Sequence, residues 1–140
     1  FRGAVIPAAS LHSTACDLAI FYQMLVNGGL YAGRQYLKPE TVQSATRLHY
    51  EGYDATIRHT IRWGMGFSLG GVSPAAETGP VIFGQRSSIH TFGHPGQGTC
   101  ITWGDPQAHL VVAFTCNSLQ ESKITRQRWK SLADAVWNCL

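Results

Sequence analysis

The sequence predicts an α+β domain in which an antiparallel sheet is flanked by helices. Three segments near the C-terminus are rich in β-branched and aromatic residues, which is typical of sheet strands. Two other segments, one early in the chain and one at its end, carry apolar residues at helical spacing. An antiparallel sheet backed by amphipathic helices forms an α+β layer structure.

A first helix is predicted near the N-terminus. Thr14 and Asp17 have the spacing of a capping box, which satisfies backbone N–H groups at a helix start. Apolar residues continue at helical spacing to about Val26, and Asn27-Gly28-Gly29 then ends the helix, because glycine tolerates the left-handed conformation needed there. The apolar stripe comprises Leu18, Phe21, Tyr22 and Leu25.

The middle of the chain has a weaker pattern. Pro39 opens a second helix that ends near Arg47, since proline fits the first helical position. Residues 49–62 are irregular and polar and predict a loop. Residues 63–69 predict a strand that contains two glycines. A loop rich in Gly, Pro and Ala over residues 70–80 and a short strand over residues 81–83 complete this region.

The C-terminal part has the most regular pattern. Residues 89–94, 99–103 and 110–115 predict three strands. Asp105-Pro106-Gln107-Ala108 supplies a turn between the last two, which predicts an antiparallel hairpin. Ser118 and Glu121 have capping-box spacing and open a final helix. The expected apolar face of this helix comprises Ile124, Leu132 and Val136, with Trp129 and Leu140 alongside.

Composition excludes several classes of protein. The 140 residues are 44% apolar and 14% charged, with a formal charge of +3, which is typical of a globular domain. Basic residues are scattered rather than gathered into a footprint with stacking aromatics, so no nucleic-acid partner is expected. No segment approaches about 18 uncharged apolar residues, so no membrane span is expected. The chain begins without Met and shows no signal-peptide pattern, which predicts a fragment of a longer protein.

The four cysteines, Cys16, Cys100, Cys116 and Cys139, are widely spaced and form no Cys-x-x-Cys pair. Free, buried thiols are therefore expected. The cysteines do not indicate a compartment, and the localisation stays open.

Two distant passages, taken together, resemble one family. Residues 6–10, Ile-Pro-Ala-Ala-Ser, lead into the first helix, and residues 92–98, Phe-Gly-His-Pro-Gly-Gln-Gly, precede the hairpin. Their order resembles the serine β-lactamase-like family, which includes class C β-lactamases, esterases of the same fold and D-amino-acid peptidases. Trp63-Gly64-Met65-Gly66-Phe67 is similar to the family's strand before the active-site loop. The resemblance spans nearly the whole chain and implies a partial β-lactamase/transpeptidase-like fold, with residues 1–140 as the C-terminal portion of one domain.

The family uses three motifs: Ser-x-x-Lys, a Tyr-x-Asn or Ser-x-Asn, and a Lys-Thr-Gly or His-x-Gly on a strand. Only the third is present in this chain, as His94-Pro95-Gly96. The resemblance therefore implies that the N-terminal part of the domain, with the nucleophile, is a missing partner. The chain alone is expected to be inactive.

The resemblance assigns roles to the residues around this motif. His94 would lie on a cleft-facing strand, where its imidazole could hydrogen-bond the missing Tyr or Lys or the substrate. The backbone N–H of Gln97 would be one oxyanion-hole donor, a contribution typically worth about 10²–10³ in rate. Pro95, Gly96 and Gly98 would line the substrate site. For His94 the alternative is a structural histidine at a strand end, and for Gly96 and Gly98 a strand bulge that could itself aim the amide.

Pro95 departs from the family pattern, because many lactamases carry a hydroxyl residue here that helps to hold the substrate carboxylate. Proline has neither a hydroxyl nor an N–H. The departure favours an esterase or a peptidase of altered specificity over β-lactam hydrolysis, and the expected small-molecule substrate is an ester or amide.

A metal site and an alternative nucleophile are both unexpected. His90 and His94 would lie about 13 Å apart in a strand, too far for a shared ligand, and no cofactor motif is visible. Ser10, Ser13, Ser87 and Ser88 do not lie in Gly-x-Ser-x-Gly or precede a lysine by three residues.

Three hypotheses about function follow. The first is a fragment of a serine acyl hydrolase that acts through an acyl-enzyme, as an esterase, a β-lactamase-like enzyme or a D-amino-acid peptidase. The second is a non-catalytic homologue that serves as a binding or scaffold module. The third is an independent α+β binding domain with accidental motif similarity. The sequence upstream of Phe1 would separate the first two.

Overall fold

A computed structural model describes residues 6, 11–71 and 82–140 of the chain. In these residues three helices and two antiparallel sheets confirm the α+β class. The helices are α1 (Ala15–Val26), α2 (Pro39–Thr46) and α3 (Ser122–Asn138). The small sheet comprises β1 (Leu30–Tyr31) and β2 (Arg34–Gln35). The large sheet comprises β3 (Tyr50–Asp54), β4 (His59–Trp63), β5 (Ser68–Leu69), β6 (Phe92–Pro95), β7 (Cys100–Asp105) and β8 (Leu110–Thr115).

The six strands of the large sheet follow one another in chain order, and each neighbouring pair is antiparallel. The predicted C-terminal hairpin is confirmed, with β7 and β8 paired from Cys100↔Thr115 to Asp105↔Leu110. In its turn, the Asp105 carboxylate accepts hydrogen bonds from the backbone N–H groups of Gln107 and Ala108, at 2.9 and 3.0 Å. Within the described part of the chain, β8 is an edge strand.

The two early helices lie where they are predicted. Thr14 is the N-cap of α1, and its hydroxyl oxygen accepts a hydrogen bond from the Asp17 backbone at 3.1 Å. Helix α2 has Pro39 in its first turn, and Arg47 is its C-cap. A side-chain cap at Thr14 and a proline in the first turn therefore mark the two helix starts.

Helix α1 packs on one face of the large sheet. Tyr22 and Leu25 are buried as predicted, but Phe21 is 47% exposed and Met24 takes its place in the core. The helix approaches β7 closely at Gly104, where a Cβ would lie 2.5 Å from Val26 Cγ2. The apolar cluster on this face comprises Tyr22, Met24, Leu25, Val42 and Phe92.

Helix α3 covers the opposite face, where Trp103 of β7 is fully buried. The predicted apolar face of this helix is partly wrong, since Ile124 and Leu140 are 50% and 68% exposed. The buried positions follow one another at helical spacing, at Thr125, Trp129, Ala133 and Trp137. The cluster on this face comprises Phe83, Ile101, Trp103, Trp129, Ala133 and Trp137.

The predicted capping box at the start of α3 is wrong. The helix begins at Ser122 with Glu121 as N-cap, and this side chain makes no capping hydrogen bond. The Ser118 hydroxyl instead accepts a hydrogen bond from Gln120 Nε2 at 2.8 Å. The polar side chain thus stabilises the preceding turn rather than the helix.

The predicted loop over residues 49–62 is also wrong, because most of it forms the hairpin of β3 and β4. The Asp54 carboxylate accepts hydrogen bonds from the backbone of Thr56 and Ile57 at 2.7 and 3.1 Å, and Arg58 takes a φ of 56°. These features close the turn. The strands lack a clear apolar alternation because both are only partly buried.

The predicted strand over residues 63–69 is divided in two. Trp63 ends β4, a tight turn follows, and β5 begins at Ser68. A Cβ at Gly64 would lie 2.6 Å from the Ala45 carbonyl oxygen, so only glycine permits this approach to α2. The turn is closed by a hydrogen bond from Gly64 N to Phe67 O at 2.8 Å.

A short strand was predicted over residues 81–83. Residues 82 and 83, which the structure describes, do not form a strand. Val81 and most of the predicted loop over residues 70–80 lie outside the described residues. Ile82 and Phe83 form a turn, in which the Phe83 carbonyl oxygen accepts a hydrogen bond from Trp137 Nε1 at 2.6 Å. This segment therefore anchors α3 instead of joining the sheet.

All four cysteines are free, as predicted, but none is buried: Cys16 and Cys139 are exposed and the other two are half-buried. No helix in the described ranges has the length and hydropathy that a membrane crossing requires.

Candidate active site

The His-Pro-Gly motif lies at the end of β6. The strand predicted over residues 89–94 begins later, at Phe92, because residues 89–90 form a turn. It ends one residue later than predicted, at Pro95. His94 pairs with Thr102 and Pro95 with Ile101 of β7. On its other side β6 pairs with β5 only at Phe92 and Gly93. Pro95 therefore lies beyond the last pair with β5, which suits a residue without an N–H.

A tight loop follows the strand and shapes the backbone around Gln97. Gly96 N donates to Cys100 O at 2.8 Å, and Gly98 N donates to Gly96 O at 2.7 Å. Gly98 has a φ of +78°, which favours glycine. Among the described residues the Gln97 N–H has no hydrogen-bond acceptor. The loop thus leaves one backbone donor free at the end of the strand.

The His94 side chain is exposed and lies beside Trp63, with ring centroids 5.6 Å apart. Its Nδ1 is 2.7 Å from the Pro95 carbonyl oxygen. Because a carbonyl only accepts, Nδ1 carries the proton in this contact, and Nε2 of the neutral ring is then an acceptor. No partner for Nε2 is found in the described ranges. The imidazole can therefore accept a hydrogen bond at Nε2.

Tyr22 of α1 contacts the same strand at Phe92 and at the backbone of His94. Burial raises the pKa of the Tyr22 phenol to about 12, although a hydrogen bond from the His94 backbone opposes the shift. The Tyr22 ring stacks on Phe92 with centroids 5.9 Å apart. The tyrosine therefore stays neutral and holds β6 against α1.

Asp105 fixes the segment that leads into β6. This fully buried carboxylate accepts hydrogen bonds from Thr91 Oγ1 at 2.5 Å and from the Ser88 backbone N–H at 3.1 Å. Burial raises the pKa of Asp105, but these hydrogen bonds and the one from Ala108 lower it more, so that the pKa lies below its ordinary value. The charged form therefore ties the residues before β6 to the β7–β8 turn.

A cavity of about 720 Å³ lies beside the loop. Strands β4 and β5 form one wall and the first turns of α3, with the residues before them, form another. His94, Pro95, Gln97 and Gly98 lie at its border, and Gly96 is adjacent. The structure thus brings the predicted residues together at one open cavity. Their roles in catalysis stay a prediction.

Arg62 and Trp63 also line this cavity, and the sequence interpretation had not assigned them to it. Arg62 of β4 lies 3.6 Å from a Glu51 carboxylate oxygen and donates to the Gly70 carbonyl. This wall was not predicted because residues 49–62 were expected to form a loop, whereas most of them form the hairpin of β3 and β4. The Trp63-Gly64-Met65-Gly66-Phe67 resemblance was the signal that pointed to it.

The other candidate side chains are dispersed. Ser87 borders the cavity but donates to the Gly84 carbonyl at 2.8 Å. Ser13 is exposed before α1, and Ser10 lies outside the described residues. His90 is exposed in the turn before β6.

The sheet between helices and the strand end beside a cavity define a domain of the β-lactamase/transpeptidase-like type. The Beta-lactamase family profile matches residues 1–136, and the chain belongs to this family. A protein of Escherichia coli K12 named "Putative D-alanyl-D-alanine carboxypeptidase" is 32% identical over 82% of the chain. The match covers 24% of that relative, so the chain spans about a quarter of its length.

Solved structures agree with the fold. A β-lactamase from Mycobacterium bovis has a TM-score of 0.67 and 25% identity, covering 90% of this chain and 44% of the other. A penicillin-binding protein homologue from Caulobacter crescentus has a TM-score of 0.64 and 26% identity, covering 88% and 31%. A family VIII carboxylesterase, at 23% identity and a TM-score of 0.60, shares the fold.

Proposed function

We propose that the protein to which this chain belongs is a serine acyl hydrolase acting on a small ester or amide through an acyl-enzyme. A serine attacks the carbonyl carbon, the alcohol or amine leaves with a proton, and water then releases the acid. This chain supplies one side of the site, and the nucleophile lies in the rest of the domain. Membership of the Beta-lactamase family supports the reaction class.

The single observation that carries the proposal is the free N–H of Gln97 at the border of the cavity. A donor fixed by a tight loop can stabilise the oxyanion of a tetrahedral intermediate without reorganisation. Gly96 and Gly98 keep the loop tight, and Pro95 borders the substrate. His94 takes part in the proton network through Nε2.

Replacing the Gln97 N–H tests the role of this amide in the full-length protein. Gln97→Pro removes the donor, and kcat on p-nitrophenyl acetate should fall about 10²–10³-fold. Gln97→Ala is the matched control, since it keeps the N–H and should stay within about threefold of the wild type. Equal losses in both variants, or none in either, would contradict the assignment. Melting temperatures of the two variants test whether both fold.

A serine-directed covalent probe separates the enzyme from the alternative of a non-catalytic binding or scaffold module. The full-length hydrolase should be labelled stoichiometrically, and prior acylation by the ester should delay labelling. Absence of both labelling and turnover in the folded full-length protein would favour the module.

A further inference from the structure

The orientation of the His94 ring depends on contacts, because the side chain is exposed. One contact is local: Nδ1 donates to the carbonyl oxygen of Pro95, the next residue, at 2.7 Å. An exposed side chain can leave such a contact by rotating about its side-chain torsions, and Nδ1 and Nε2 then change places. A second contact, with a fixed group, would keep the ring in one orientation.

Trp63 supplies a second contact from another strand. Its indole lies beside the imidazole, with ring centroids 5.6 Å apart and an angle of 39° between the ring planes. A pair of rings at this separation stabilises an arrangement by a factor of about two to ten. The contact joins β4 to β6, which lie on either side of β5 in the sheet.

The register of the sheet permits this contact. Trp63 pairs with Ser68 of β5, and Ser68 pairs with Gly93 of β6. Paired residues point to the same face of a sheet, so the neighbours of the indole on this face are a small side chain and a glycine. The indole can therefore reach the His94 ring although their backbones lie two strands apart.

Trp63 is itself well held. Its backbone pairs with Tyr50 of β3 as well as with β5, and its carbonyl oxygen accepts a hydrogen bond from the His49 N–H at 2.8 Å. The Trp63 side chain is half-buried. A strand that is paired on both sides gives the indole a defined position, against which an exposed ring can be fixed.

We propose that Trp63 is a positioning residue that acts through His94. Its indole holds the imidazole in the orientation in which Nδ1 donates to Pro95 and Nε2 is left as an acceptor. The inference rests on the proposed hydrolase function, in which His94 takes part in the proton network through Nε2. Without the indole, the share of molecules with a correctly placed Nε2 should fall by a factor of about two to ten.

Two variants of the full-length protein test the proposal by kinetics. Trp63→Leu keeps apolar bulk but no ring, and kcat on p-nitrophenyl acetate should fall about three- to tenfold with KM within about twofold. Trp63→Phe keeps a ring and should retain at least about half of the kcat. A higher KM at unchanged kcat in Trp63→Leu would show that the indole contacts the substrate directly, and this result overturns the proposal. Equal losses of kcat in the two variants overturn it as well.

Met65→Ala is the control for changes in the turn that follows β4. Met65 is 63% exposed and is not one of the residues that line the cavity. This variant should keep kcat within about twofold of the wild type. Melting temperatures check that all three variants fold.

The imidazole provides a readout that does not depend on turnover. In ¹⁵N-histidine-labelled full-length protein at about pH 8, where ordinary histidines are neutral, the ring signals report which nitrogen carries the proton. The His94 signals are assigned by their loss in His94→Gln. Wild type and Trp63→Phe should show the tautomer protonated at Nδ1, and Trp63→Leu a mixture of both tautomers.

Two NMR results would overturn the proposal. One is a mixture of tautomers in the wild type, which needs no variant to be observed. The other is the same Nδ1-protonated signal in Trp63→Leu as in the wild type. If the wild type turns over no ester, the proposed function fails, and the NMR signals alone decide whether Trp63 orients His94.

Discussion

At the scale of single residues, the candidate site depends on groups that hold the backbone as well as on those that face the cavity. Asp105 is the clearest case, because one buried carboxylate joins the segment before β6 to the turn after β7. The sequence interpretation assigned Asp105 only to the turn. Its bonds to Ser88 and Thr91, 17 and 14 residues away, depend on the folded sheet.

Asp105→Asn should lower the free energy of unfolding by about 2–4 kcal/mol, because an amide N–H₂ replaces an acceptor and leaves a buried donor unpaired. Urea denaturation of the full-length protein measures the loss. Asp134→Asn is the control, since this partly exposed carboxylate pairs with Lys130 on the surface of α3, and the amide oxygen of Asn can still accept the hydrogen bond from the Gln85 backbone. Its replacement should cost less than about 1 kcal/mol.

The contribution of Asp105 to stability should also depend on pH. The pKa of Asp105 is lower in the folded protein than in the unfolded chain, so its charged form stabilises the fold above about pH 4, near the ordinary pKa. This stabilisation is lost as the pH falls through the folded-state pKa. The difference in Tm between wild type and Asp105→Asn should therefore be largest at neutral pH and shrink towards pH 3. A difference that stays constant from pH 7 to pH 3 would refute the electrostatic explanation.

At the scale of elements, close backbone contacts set the position of β6. Gly93 packs against β7, where a Cβ would lie 2.7 Å from Trp103 Cβ and 2.8 Å from its Cα. These atoms belong to a paired strand and to the base of a buried side chain, and they have little room to move. The glycine before His94 is thus required by packing, and its φ is not positive.

Gly93→Ala should destabilise the full-length protein by about 2–3 kcal/mol, because it forces β6 away from β7. Gly33→Ala is the comparison: nothing lies within 4 Å of its Cβ, and only its φ of +77° opposes the change. That variant should cost about 1 kcal/mol. Thermal melts of the two variants measure the difference. Equal losses would show that packing at Gly93 is unimportant.

At the scale of the whole molecule, the described sheet has an edge at β8 and apolar side chains on the outside of α1. Phe21 and Ile20 are 47% and 38% exposed. A free strand edge and uncovered apolar residues favour association with other chains. The rest of a family domain would cover such surfaces, and the chain spans only about a quarter of the curated relative.

The isolated chain of 140 residues should therefore show no burst and no turnover on p-nitrophenyl acetate above the buffer background. It should also associate at micromolar concentration, as measured by light scattering, whereas the full-length protein stays monodisperse. The isolated chain could instead be monodisperse and show turnover that is lost in His94→Ala. That result would show that a nucleophile within these residues had been missed.

The sequence by itself determined the elements whose signals are local. Thr14, Pro39 and the Asp105 turn specify helix starts and a hairpin through contacts with near neighbours, and the structure agrees with each. The His-Pro-Gly strand was recognised from a family resemblance, which rests on several short motifs and on their order along the chain.

Only tertiary structure determined the hairpin of β3 and β4, the buried face of α3 and the cavity. Strands β3 and β4 form although their apolar pattern is weak, because partial burial and cross-strand hydrogen bonds stabilise them together. The buried face of α3 is set by packing on Ile101 and Trp103 of β7, and the cavity arises where α3 meets β4 and β5. Contacts between residues far apart in the chain carry no local signal, so only the folded arrangement reveals them.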